Sequence, residues 1–119
     1  MTEGEMAFDE ELADRTRAAL SAARATATEK KMFGGLAFMI GGNMCCGVMG
    51  EDLLVRIGAE ANEAALAEPA ARPFEMGQRG PSAGFILVGP GGTDAEGDLA
   101  AWVRRALTFN ATLPAKKAK

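Results

Sequence analysis

The spacing of apolar residues changes period several times along the chain, and each change predicts an element. Asp9 is followed by Glu10 and Glu11, a capping residue and two acids suited to the positive end of a helix. Leu12, Thr16, Ala19, Leu20 and Ala23 then recur at helical spacing, with Arg15, Arg17 and Arg24 mainly off that stripe. This predicts a helix over 10–23. Residues 31–40 hold β-formers and close on Gly41-Gly42, a two-residue hairpin signal. Residues 44–49 make the return strand, and Gly50-Glu51-Asp52 marks a second turn. Leu53, Val55 and Ile57 alternate with Leu54 and Arg56, as in a strand with one face on a core. Gly58 ends it, and the alanine-rich stretch 59–67 predicts a second helix, stopped by Pro69. Phe74 and Met76 predict a short fourth strand, residues 77–84 a loop, and residues 85–88 a fifth strand before Gly89-Pro90-Gly91-Gly92. Thr93 and Glu96 have the spacing of a capping box. Leu99, Trp102, Val103 and Ala106 then make one apolar stripe of a helix over 94–109.

The order is helix, three strands, helix, two strands, helix. Short turns between consecutive strands imply antiparallel pairing. The expectation is a two-layer α+β domain, a five-stranded and mainly antiparallel sheet packed by helices. It should form a single domain over 1–115, with a frayed lead-in over 1–8 and a disordered basic tail over 116–119. Both faces of the first hairpin are apolar: Leu36, Phe38 and Ile40 alternate with Ala37 and Met39, and Cys45 with Met44 and Cys46. A sheet wetted on one side should show polar alternation instead. Something should cover the second face, and a homodimer is the expected means. Residues 32–49 are uncharged but carry six Gly or Asn residues, so a hairpin is expected there and no membrane span.

Composition adds mainly exclusions. The 119 residues are 48% hydrophobic and 24% charged, with a formal net charge of −3, ordinary values for one globular domain. Lys116, Lys117 and Lys119 close the chain, leaving 10 of the 13 basic residues against 16 acidic ones in the body. Duplex-binding domains draw most of their affinity from phosphate neutralisation, so nucleic acid is an alternative partner that the charge balance disfavours. Histidine is absent, which removes the usual neutral-pH base and the commonest metal ligand. Neither a phosphate-binding loop nor a dinucleotide fingerprint occurs around Gly34-Gly35, so those glycines are expected at a bulge or a close backbone approach. No catalytic, cofactor-binding or metal-ligating residue is assigned, and the expectation is a non-enzyme without a cofactor.

Cys45 and Cys46 are adjacent. In an extended strand their side chains point to opposite faces, so the expectation is two free thiols, one in the core and one opposite. Free thiols and an acidic start without a signal-like apolar run point to the cytoplasm. Lys30, Lys31, Phe33, Arg56 and Arg79 are the candidate partner-binding residues, should their strands and loop be neighbours.

Residues 29–48, EKKMFGGLAFMIGGNMCCGV, resemble the opening hairpin of the N-terminal domain of bacterial TfoX/Sxy competence regulators. Its signature is a basic pair, Met-Phe-Gly-Gly, a strand and a return strand. The resemblance extends back over FDEELADRTRAAL and forward over LLVRIG and LAAWVRRAL, roughly residues 7–113. It implies a stand-alone copy of that domain, without the C-terminal helical domain of longer members. It also implies a fold similar to type III secretion chaperones and a regulatory role in transcription of competence genes. The function expected from it is a non-enzymatic regulatory or adaptor domain acting by protein–protein binding, its partner unidentified.

Overall fold

The computed structural model describes residues 8–32, 34–75 and 81–114. Helix α1 covers Glu10–Ala22. The Asp9 carboxylate accepts from the backbone N–H of Glu11 at 2.9 Å and of Leu12 at 3.3 Å. Leu12, Ala13, Thr16 and Leu20 are its buried residues, and Thr16 keeps its hydroxyl satisfied by donating to the Leu12 carbonyl at 2.8 Å. Arg24 ends the helix in the left-handed region at φ +62°. Its N–H donates to Ser21 O, and that of Ala25 to Leu20 O, a Schellman closure usually made by glycine.

Six strands follow rather than five: β1 (Thr28–Met32), β2 (Gly35–Ile40), β3 (Asn43–Met49), β4 (Asp52–Arg56), β5 (Ala71–Glu75) and β6 (Pro81–Val88). Their order is β1-β2-β3-β4-β6-β5, antiparallel throughout. The extra strand arises because Gly34, at φ +74°, lets the charged segment before it fold back onto β2. The predicted stretch 31–40 is therefore two elements. Gly41 and Gly42, at φ +63° and +80°, form the expected hairpin turn, as only a residue without Cβ adopts both angles cheaply.

A 3-10 turn at Ala59–Ala61 leads into the short helix α2 (Asn62–Leu66), within the predicted span 59–67. The 77–84 loop expectation falls partly outside the described residues; 81–84 already belong to β6. Helix α3 covers Glu96–Asn110, two residues later than predicted. The capping box does not form, and the residue preceding α3 is Ala95, with no side-chain cap. A 3-10 turn at Pro90–Gly92 engages the N–H groups of Thr93 and Asp94 on Pro90 O. Thr93 is buried, and Glu96 turns to Arg15, 3.5 Å away.

All three helices share one core with one face of the sheet. Leu12 and Leu20 of α1, Ala65 of α2, and Leu99, Trp102, Val103 and Ala106 of α3 cluster with the alternate strand residues Leu36, Phe38, Cys46, Val48, Leu53, Val55, Ile86 and Val88. Among the described residues, the buried residues of the helices cluster with this face and not with the other one.

Candidate functional site

The strand registers fix where the expected binding residues stand. Lys30 and Lys31 are exposed on the edge strand β1 and point to opposite faces, since Lys31 is level with the core residue Leu36 and Lys30 with Ala37. Arg56 ends β4, three strand positions from β1, or about 14 Å at roughly 4.8 Å per strand. The structure does not gather Lys30, Lys31 and Arg56 into one cluster. Lys30 and Arg56 do share the other face of the sheet. Phe33 and Arg79 lie outside the described residues. Arg56 stacks instead between two rings, its guanidinium carbon 5.3 Å from the Phe85 centroid and 5.6 Å from that of Phe109, a geometry that holds the cation in place.

That other face is built in rows. Lys30, Ala37, Gly47, Leu54, Leu87 and Arg72 lie side by side across the six strands. Ala37 and Leu54 at its centre are 1% and 0% exposed. Met39, Met44, Met49, Phe85 and Leu87 around them are half-buried. Met44 Cε comes within 3.4 Å of where a Cβ on Gly47 would stand, so a methionine covers the gap the glycine leaves. Arg72 is tied to Asp52 at 2.6 Å. Unbranched, polarizable methionines of this kind make an adaptable apolar surface.

A second feature was not legible as a site in the sequence. A groove of about 480 Å³ runs between the Gly89–Gly92 loop, the chain after α2 and the start of α3, with Trp102 as its wall. Trp102 is 5% exposed. Arg105 lies over its ring at 4.1 Å and reaches Glu68 at 2.9 Å, so one guanidinium is both stacked and ion-paired. Trp and Arg in such a setting are the residue types that dominate binding energies at interfaces. The only sequence signal was the loop punctuation around a tryptophan on a core stripe.

The cysteines correct a sequence expectation. Phe38 pairs with Cys46 and Met39 with Met44, so the register slips by one and Cys45 is the extra residue of a β-bulge. Alternation fails there. Both thiols are free, both are 0% exposed, and both join the helix-side core. A hydrogen bond with Cys45, reinforced by burial, pushes the Cys46 thiol well above its ordinary range. A thiol held protonated is a poor nucleophile and a poor metal ligand. Among the described residues, no three His, Cys, Asp or Glu side chains converge as metal ligands. No helix among them is long and apolar enough to cross a membrane.

The family model described as TfoX N-terminal domain covers residues 11–110. No curated protein and no solved structure matches the chain.

Proposed function

The chain belongs to the TfoX N-terminal domain family, a family linked to regulation and competence, and from that membership we propose that it is a non-enzymatic regulatory or adaptor domain that acts by binding another protein. The family match over residues 11–110 carries this reading. The Trp102 groove supports it: its volume is in the range of specific binding sites, and its wall is an aromatic ring with a charged pair at its rim. A partner that enters the groove would gain most from the ring and from the guanidinium of Arg105.

The test is affinity capture of the full chain from its native host, with mass spectrometry for proteins and sequencing for nucleic acid. Recovery of a specific protein whose binding falls at least tenfold in Arg105→Ala supports the reading. Recovery of nucleic acid alone, with affinity falling steeply as salt rises, overturns it in favour of direct nucleic-acid binding. Capture of neither also overturns it.

A further inference from the structure

We propose that the groove beside Trp102 takes a proline-rich segment of the partner protein, extended as a polyproline II helix, with a basic residue of that segment on Asp98. The inference rests on the protein-binding reading above and names the class of partner. Trp102 is buried, yet its indole N–H makes no hydrogen bond among the described residues. None of their buried side-chain nitrogens or oxygens is left without a partner, so this N–H is open to solvent, and it opens into the groove that the ring lines. Gly92 keeps that edge clear, since even a Cβ there would stand 3.5 Å from the indole nitrogen. One face of the ring is taken by Arg105, 4.1 Å away. What remains for an occupant is the N–H edge.

The rest of the groove selects what meets that donor. Its backbone carbonyls already accept: that of Ala70 from Gly89, that of Gly89 from Gly92, and that of Pro90 from Thr93 and Asp94. Pro69 and Pro90 are exposed along it. An ordinary peptide would bury N–H groups there without acceptors, which is costly. Proline brings a carbonyl and no N–H. In a polyproline II helix those carbonyls are free of internal hydrogen bonds, so one can accept from the indole while the rings pack on Pro69, Pro90 and Ala101. An α-helix has its carbonyls spent internally, and a strand needs alternating donors and acceptors. The length agrees. Asp98, Ala101, Trp102 and Arg105 lie on one face of α3, at three- and four-residue spacings. Asp98 to Arg105 is about 10 Å, at roughly 1.5 Å per residue. That is about three residues of polyproline II, at about 3.1 Å each. Charge sets the flank. Arg105 is paired with Glu68, whereas the exposed Asp98 has no ion pair among the described residues. The lining thus carries Glu68 and Asp98 against Arg105 alone, which favours a cationic segment over a phosphate or a carboxylate.

The chain has a single tryptophan, so one indole N–H resonance reports the site. A capped peptide of six prolines and two arginines is titrated into the isotope-labelled full chain. The indole resonance should shift and saturate, with a Kd of about 1 mM or tighter. A glycine–serine peptide with the same two arginines should not saturate it, and six prolines with two glutamates should bind at least threefold more weakly. Ala101→Arg, which fills the groove from an exposed position, should lose binding at least tenfold while circular dichroism shows the fold retained. Trp102→Phe keeps a ring and removes the donor. Followed by backbone amide resonances, it should bind about two- to tenfold more weakly, the contribution of one hydrogen bond. Asp98→Asn should weaken the arginine peptide about two- to fivefold and leave the glutamate peptide no weaker. Absence of a saturable shift with the proline–arginine peptide overturns the proposal, as does equal binding of the glycine–serine peptide. Binding that survives Ala101→Arg in a folded protein also overturns it, and an unchanged affinity in Asp98→Asn overturns the basic flank. The two readings fail separately. A host protein captured through Arg105 while the proline peptide does not bind overturns this proposal alone. Peptide bound where no host protein is captured overturns only the adaptor reading.

Discussion

Arg15 joins two segments 78 residues apart. Its guanidinium donates to the carbonyls of Thr93 and Asp94 and pairs with Glu96, so the loop before α3 is held by a side chain of α1. Arg15→Ala leaves the carbonyl of buried Thr93 without that donor, a loss of about 1–3 kcal/mol. Thermal unfolding should show a midpoint lower by roughly 4–24 °C, at about 4–8 °C per kcal/mol for a domain near this size. An unchanged midpoint would mean the contact contributes nothing. Arg24 offers the opposite test. A non-glycine residue at φ +62° is strained by about 1–2 kcal/mol, so Arg24→Gly should raise the denaturant midpoint at constant slope. The thiols are a third residue-scale case. The hydrogen bond with Cys46 lowers the Cys45 thiol while Cys46 itself is raised, but both are 0% exposed, so a thiol reagent should find no accessible sulfur in the native protein and two after denaturation. None of these three roles was legible in the sequence. Arg15 reads there as a residue off the apolar stripe, because its partners are long-range. Thr93 and Glu96 read as a cap, because the 3-10 turn that diverts them comes from Pro90–Gly92. The thiols read as pointing apart, because a bulge is set by the partner strand and leaves no mark of its own.

Among elements, the edge strand β1 depends most on a single polar contact. Glu29, level with Phe38 and thus on the helix side of β1, accepts from Arg17 Nε and Nη2 of α1. That bond holds the Glu29 carboxyl below its usual range. A depressed folded-state pKa gives stability that is fully present above the unfolded value of about 4.3 and is lost as pH falls through the folded one. Both side chains are more than a third exposed, so solvent screening limits the pair to about 1 kcal/mol or less. Glu29→Gln should therefore lower stability slightly at pH 7 and not at all well below pH 4. Urea unfolding of both proteins across that range measures it, and a difference independent of pH would refute the ion pair. β1 is also where sequence reading fell short. The helices carry their own periodicity and caps, so α1 and α3 were found to within two residues at each end, and Gly41-Gly42 located the hairpin. The segment TEKKM has no apolar alternation to mark it as a strand. Its lysines and glutamate suit an edge that must not pair further, and only the register with β2 makes it one.

At the scale of the molecule, one core connects every layer. Leu12 and Leu20 of α1, Ala65 of α2, Trp102 and Val103 of α3 and the inner residues of β2, β3, β4 and β6 form a single cluster. No helix has a second apolar surface of its own to retain once the sheet is lost. α2 has five residues, and even the 15 residues of α3 are marginal as an isolated helix in water. Helices and sheet should therefore unfold together. The chain has a single tryptophan, and it is placed to report this, since Trp102 is buried between α3 and the Gly89–Gly92 loop, with Gly92 against its indole nitrogen. Its emission senses packing at the helix–loop contact, whereas far-UV circular dichroism senses backbone structure throughout. The two signals should give superimposable denaturation curves with one midpoint and one slope, as an all-or-none transition requires. If fluorescence were lost at lower denaturant than the dichroism, α3 and its loop would be a separately opening unit, and the Trp102 groove would be a mobile feature rather than a preformed one. Coincident curves at every protein concentration are the outcome the single core demands.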